Sequence, residues 1–355
     1  MIPPGATIGI LGGGQLGRML AMAAAQLGYR CHIYAPEAES VAAEVAAAHT
    51  RAEWDDAKAM AAFAAGCAVI TYEFENVPVT PLAAARGAAL LPHPRALETA
   101  QDRLIEKRFA AAQGGRTAPF APVDTPAELP AAVAAIGAPG ILKTRRDGYD
   151  GKGQWRIGAS GETRGLSLPN QPLIYEGFVA FFAEFSVILA RGGDGAVRFW
   201  DSAENVHESG ILARSTVPAR AEVLAQVPEA RVLAQRIAEA LDYVGVLAVE
   251  FFATKAGPVF NEMAPRVHNS GHWSIEGALT SQFENHIRAI CGLPLGCTNL
   301  TTGGVEMRNI IGDYTEDWAA TLSDPANHLH LYGKAESRPG RKMGHVTRLI
   351  MAGDQ

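Results

Sequence analysis

The stretch "EFFATKAGPVFNEMAPRVHN" (residues 250–269) decides the fold. Two apolar runs flank Lys255, Ala256 and Gly257, a pattern that predicts a β-hairpin. With a three-residue loop and Gly257 in the left-handed conformation, pairing is symmetric about Ala256 and sets Glu250 directly across from Glu262. Directly opposed side chains share a face, with Cβ atoms about 5 Å apart. Two carboxylates about 4 Å apart repel by about 4 kcal/mol at an effective dielectric of about 20. A divalent cation would offset that repulsion; so would protonation of one glutamate or pairing with Arg266. A register shifted by one residue would separate the two onto opposite faces. Oxygen donors, with Asn261 adjacent, suit Mg²⁺, which takes one or two carboxylates together with substrate phosphates.

Working back toward the N-terminus, "ILKTRRDGYDGKGQWRI" (residues 141–157) reads as two strands joined by a basic, glycine-rich loop. It is not a Walker loop, because no helix follows and Lys152 precedes Gly153 rather than Ser or Thr. The pattern predicts a flap that folds over a polyphosphate, with peptide N–H groups donating and Lys143 neutralising charge. Short strands over 140–144, 154–157, 172–176, 183–191 and 197–200, with helices over 101–113 and 229–241, give this central region an α+β character.

Before it, "ATIGILGGGQLGRMLAMAAAQLGYRCHIYAP" (residues 6–36) reads as strand, glycine turn, helix and strand. A helix over 54–65 and the strand in "CAVITYEFENVP" complete a doubly wound α/β unit. Gly12, Gly14 and Gly17 form a GxGxxG turn, with three readings open: a phosphate-bearing substrate on Gln15 and Leu16, a dinucleotide, or a tight structural turn. The dinucleotide reading lacks an acidic ribose ligand at the end of the second strand, which closes Tyr34, Ala35, Pro36, and only Glu37 past the proline could substitute. Glu73, Glu75 and Asn76 follow a strand, where such sheets contact ligands.

The 355 residues are 48% hydrophobic and 19% charged, enough for two or three packed domains. A net charge of −6 without a basic block argues against nucleic acid. Four cysteines without CxxC spacing argue for reduced thiols, and no segment suggests a leader or a membrane span, so a cytoplasmic location is expected.

Lys143 with DGYDGKGQ, "YEGFVAFFAEFSV" and "VEFF…NEMAPRVHNSGHW" resemble the nucleotide-binding set of the ATP-grasp superfamily. Together with "GGGQLGRM", "TYEFENVP" and "GRKMGHV" they closely resemble one family within it, the 5-(carboxyamino)imidazole ribonucleotide synthases, or ATPase subunits of phosphoribosylaminoimidazole carboxylase. The resemblance runs in order along nearly the whole chain. It implies a Rossmann-like N-terminal domain (1–98), an ATP-grasp domain (99–292) and a small C-terminal domain (293–355), commonly as a homodimer. It also implies the cofactors ATP and Mg²⁺, bicarbonate as co-substrate, and carboxylation of the exocyclic amine of aminoimidazole ribonucleotide. Formate-dependent glycinamide ribonucleotide transformylase shares the layout and is the nearest alternative.

For ATP, the resemblance implies Arg103 and Lys143 on the phosphates, covered by Gly148, Tyr149, Asp150, Gly151, Lys152, Gly153 and Gln154. Glu176, Gly177, Phe178 and Val179 would form the adenine hinge, Glu184 would take the ribose, and His207 and Asn261 would join them. Glu250 and Glu262 would hold the metal. For the substrate it implies Gln15, Leu16, Glu73, Tyr149, Asp150, Arg266, His268, Asn269, Arg341 and Lys342. Asp150, Arg266 and Lys342 carry the expected catalytic roles: orienting the amine, steadying an anionic acyl phosphate and clamping the monophosphate. The apolar residues Ala180, Phe181, Phe182 and Ala183 depart from the polar hinge of relatives.

Overall fold

Alternating strands and helices at the N-terminus build a five-stranded parallel sheet in the order Ala48–Thr50, Arg30–Tyr34, Thr7–Leu11, Val69–Tyr72, Ala89–Leu90. Its central strands are apolar on both faces, and Ile8, Ile10, Ile33, Val69 and Ile70 are buried. The computed structural model describes residues 1–148, 151–312 and 318–351. The helix expected over 54–65 starts later, as Ala57–Ala65, because the Asp56 carboxylate caps it by accepting from the Ala59 N–H.

A second, four-stranded antiparallel sheet has the order Phe120–Val123, Leu173–Gly177, Gly140–Thr144, Gln154–Ile157. It carries Lys143 and the glycine-rich loop. Facing it is a nine-stranded sheet whose edge strand is Gly257–Ala264, followed by Gly245–Thr254 and Ala183–Arg191. The C-terminal strands Gly304–Ile311, Lys342–Ile350 and Asn327–Leu331 extend this sheet rather than forming one of their own. The N-terminal sheet is fastened to the larger one through a buried hydrogen bond of 2.8 Å between Thr71 Oγ1 and His286 Nε2, while His286 Nδ1 accepts from the Val246 N–H.

The hairpin pairs Glu250 with Glu262, but by a different route from the symmetric loop. Thr254 pairs with Gly257, whose φ is +109°, leaving two residues in the turn. From there to Phe251–Phe260 the register is one residue short of opposing the glutamates. A β-bulge then admits Asn261 as an extra residue, and Glu250 meets Glu262.

Three of the cysteines are buried and Cys297 is exposed, and all four are free thiols. Among the described residues no helix is long and apolar enough to cross a membrane.

Candidate active site

Between the two antiparallel sheets and the end of the parallel one lies a cleft of about 920 Å³. Its lining includes Gln15, Leu16, Arg103, Lys143, Gly148, Gly151, Gln154, Phe178, Glu184, His207, Glu250, Asn261, Glu262, Arg266, His268, Asn269 and Lys342, so most of the sequence-derived residues converge on one place. Glu73, Glu176 and Arg341 are not on its wall, and Tyr149 and Asp150 lie outside the described residues. Lys152 and Gly153 belong to the loop, with Gly153 in a positive-φ conformation (+70°) that keeps the turn close to Thr144. Gly177 ends the Leu173–Gly177 strand and Val179 follows it, with Phe178 exposed at the rim.

The carboxylate pair lies on the cleft floor, with Glu250 buried and the Glu262 side chain 38% exposed. Burial and the neighbouring Glu262 push the Glu250 carboxyl well above the usual range. Burial acts on Glu262 too, but the Arg103 guanidinium, 2.8 Å from its Oε2, holds it below that range. His268 Nε2 is 3.5 Å from Glu250 Oε1, yet burial, Arg266 and Lys342 lower His268 to about 3, so a neutral imidazole brings no charge to the pair. A facing pair of carboxylates, one buried and one open to the cleft, offers oxygen donors that fit a hard cation. Among the described residues no group of three or more His, Cys, Asp or Glu side chains is gathered for a metal. A cation here would therefore complete its shell with substrate oxygens.

Around the pair, cations and carboxylates neutralise one another. Glu176 Oε2 receives Lys143 Nζ at 3.0 Å and lies 3.2 Å from Lys107 Nζ. Burial opposes ionisation of Glu176, but the two lysines bring its carboxyl down to about 2. Its side chain thus positions Lys143 rather than facing the cleft. His207 Nδ1 approaches Glu184 Oε2 at 3.2 Å as an ion pair without hydrogen-bond alignment. Burial pulls His207 down, and Glu184 and Glu250 more than restore it, so it is raised on balance. Arg266 pairs with Glu75 at 2.6 Å, and the buried Asn269 Oδ1 has no partner among the described residues. Phe181 stacks on Phe252 (4.5 Å, 19°) at the mouth, giving the apolar departure at residues 180–183 a structural purpose.

At the first glycine turn, Glu73 Oε1 accepts from the Gly14 N–H (2.8 Å) and Oε2 from the Gly17 N–H (3.3 Å). Glu73 thus takes two N–H groups of the turn that a dinucleotide's pyrophosphate would use, which argues against the dinucleotide reading. A Cβ on Gly12 would lie 2.5 Å from Glu73 Oε1, so the glycines admit that carboxylate.

Sequence reading missed Lys107, which looks like any helix lysine, and Lys334, a single lysine after "LYG". Lys334 Nζ donates to the Lys342 carbonyl at 2.7 Å. Burial, then Arg341, lower its ammonium to about 8. Lys342 and Arg338 act in the same direction, so the C-terminal segment gathers four cations near Glu73.

A nucleotide-sized cleft between two antiparallel sheets, with a lysine and a glycine flap above and paired carboxylates below, defines an ATP-grasp protein. Family models agree: the ribonucleotide synthetase preATP-grasp domain matches residues 5–101, the ATP-grasp domain 108–283, and the phosphoribosylaminoimidazole carboxylase C-terminal domain 306–352. The N5-carboxyaminoimidazole ribonucleotide synthase of Brucella melitensis biotype 1 is 53% identical over 98% of this chain and 97% of its own. The crystal structure of the Thermus thermophilus synthetase superposes with a TM-score of 0.91 at 48% identity, covering 97% of this chain and 94% of that one. A synthase from Aspergillus clavatus, in complex with ADP and 5-aminoimidazole ribonucleotide, gives 0.89 at 32% identity over 98% and 94% of the two chains. The chain belongs to the N5-carboxyaminoimidazole ribonucleotide synthase family, and is an ATP-dependent ligase of purine biosynthesis.

Proposed function

We propose that this chain uses ATP and bicarbonate to carboxylate the exocyclic amine of 5-aminoimidazole ribonucleotide, releasing ADP and phosphate. The observation that carries this reading is the opposed pair Glu250 and Glu262 beneath Lys143 in a cleft that also holds Arg266 and His268. Glu250 and Glu262 hold Mg²⁺, with Asn261 beside them; bound there, the ion neutralises charge on the polyphosphate. Lys143 and Arg103 bind the phosphates, and residues 148–154 cover them and exclude water. Phe178 and the 176–179 segment border adenine, while Glu184 accepts from the ribose hydroxyls and His207 supports Glu184.

The γ-phosphoryl group passes to bicarbonate, giving carboxyphosphate and ADP. Arg266, leaving Glu75, and neutral His268 and Asn269 orient the carboxyl group. The amine nitrogen then attacks the carboxyl carbon; the C–N bond forms, phosphate departs and the nitrogen sheds a proton. Asp150, outside the described residues, is assigned by resemblance to orient that amine, with Tyr149 beside it. Gln15 and Leu16 offer the N–H groups that Glu73 leaves open, and Lys334, Arg341 and Lys342 hold the substrate's monophosphate. We assign residues 1–98, 99–292 and 293–355 to three domains, and place the protein in the cytoplasm as a homodimer.

A coupled assay for ADP tests this reading: ADP release should require both aminoimidazole ribonucleotide and bicarbonate. Release driven instead by formate and glycinamide ribonucleotide would assign the alternative ligase.

A further inference from the structure

The pairing of Glu250 with Glu262 depends on one extra residue in an edge strand. Were the register of Phe251–Phe260 continued without the bulge, Glu250 would face Asn261 and Glu262 would turn to the other face of the sheet. Gly257–Ala264 has a ladder partner on one side only, so its outer backbone groups must find others. The Phe260 N–H donates to the Arg116 carbonyl at 2.7 Å, and the outer groups of Asn261 and Met263 meet side chains of the helix Arg103–Ala112.

Three side chains at i, i+3 and i+4 of that helix meet three consecutive residues of the strand. Lys107 Nζ donates to the Asn261 carbonyl at 3.2 Å, Arg103 Nη1 to Glu262 Oε2 at 2.8 Å, and Glu106 Oε1 accepts from the Met263 N–H at 2.6 Å. Glu106 and Lys107 are fully buried, a costly placement unless their partners are fixed. Lys107 also reaches the carboxylate of Glu176, to which Lys143 is bound, so one ammonium joins the bulge to the phosphate-binding lysine. The helix is itself anchored at the base of the flap: Asp102 caps it by accepting from the N–H groups of Leu104 and Ile105, and accepts from Arg145 Nε at 3.0 Å and Nη2 at 2.8 Å.

We propose that Glu106 and Lys107 are positioning residues that lock the bulge at Asn261, and so keep both glutamates on the face where the metal is held. The inference rests on the metal assignment made above. A structural role alone would lower stability and weaken all ligands together. A register clamp acts on the metal-dependent part of nucleotide binding.

The test is calorimetric titration of ADP with and without Mg²⁺, with Tm recorded for each variant. In the wild type Mg²⁺ should strengthen ADP binding. In Lys107→Met that enhancement should shrink about tenfold or more, while affinity for aminoimidazole ribonucleotide stays within about threefold; Lys107→Arg should restore part of it. Glu106→Gln, which keeps an oxygen for the Met263 N–H, should retain the enhancement, and Glu106→Leu should lose it. If Lys107→Met does not fold, the two Glu106 variants decide. An undiminished Mg²⁺ enhancement in Lys107→Met or Glu106→Leu, or an equal loss for every ligand, overturns the clamp. Absence of any Mg²⁺ effect in the wild type overturns the metal assignment itself, and the clamp with it.

Discussion

Two glycine-rich loops in this chain look alike in composition and differ in what fills them. Around Gly12, Gly14 and Gly17 the turn closes on the Glu73 carboxylate, which takes the N–H groups of Gly14 and Gly17. The loop after Lys143 opens onto the main cleft, with Gly148 and Gly151 on its wall. A glycine pattern therefore supplies backbone proximity and nothing more. At the first turn a carboxylate from just after the Val69–Tyr72 strand takes two of the N–H groups, while Gln15 and Leu16 still line the cleft.

The largest effect is expected beneath the second loop. Glu262→Gln should lower ADP release stimulated by aminoimidazole ribonucleotide by about 10²–10³-fold, measured by the coupled assay at saturating ATP and Mg²⁺. Retained turnover would show that the pair does not serve the chemistry.

The C-terminal cations give a pH test with a defined sign. Lys334 has its ammonium lowered to about 8, so in the free enzyme it is charged below that pH and neutral above it. The kcat/KM for aminoimidazole ribonucleotide should be level between about pH 7 and 8 and fall as the pH rises through 8, approaching tenfold per pH unit. Lys334→Arg, whose guanidinium stays charged, should move that falling limb to higher pH.

A smaller effect is expected at the ribose. Glu184→Gln should raise KM for ATP about tenfold or less and leave kcat within about twofold, the pattern of lost uniform binding. The least effect on nucleotide should come from the first turn. Glu73→Ala leaves the buried Gly17 N–H and the partly buried Gly14 N–H without their partner and should lower stability by about 1–3 kcal/mol, read in a denaturation curve, while ADP affinity changes less than about twofold. A larger loss of ADP affinity would mean that the first turn also serves the nucleotide.

Much of this was legible in the sequence, for identifiable reasons. The parallel sheet announced itself through apolar runs interrupted by Gly, and the flap through Arg145, Arg146 and Lys152 crowded between two strands, the first of which carries Lys143. The opposed glutamates were also readable, although the symmetric three-residue loop was the wrong reason. The true turn is shorter and the difference is made up by a bulge at Asn261, which carries no glycine or other mark in the sequence. Glu73 was readable only in part: its position after a strand suggested a ligand contact, and the fold adds that its oxygens accept from Gly14 and Gly17. Lys107 was invisible because a lysine in an amphipathic helix ordinarily faces water, and nothing local shows the edge strand and carboxylate that bury it. Lys334 had a faint signal, a lone lysine after glycine just past a strand, that acquires meaning only beside Arg341 and Lys342.

If a strand bulge brings Glu250 and Glu262 together to hold a cation at the nucleotide, anomalous diffraction from crystals grown with ADP and Mn²⁺ should locate that cation. The expected result is a metal peak within bonding distance of both carboxylates, with Arg103 withdrawn from Glu262. A peak elsewhere, with Arg103 still bound to Glu262, would refute the metal-holding role of the pair.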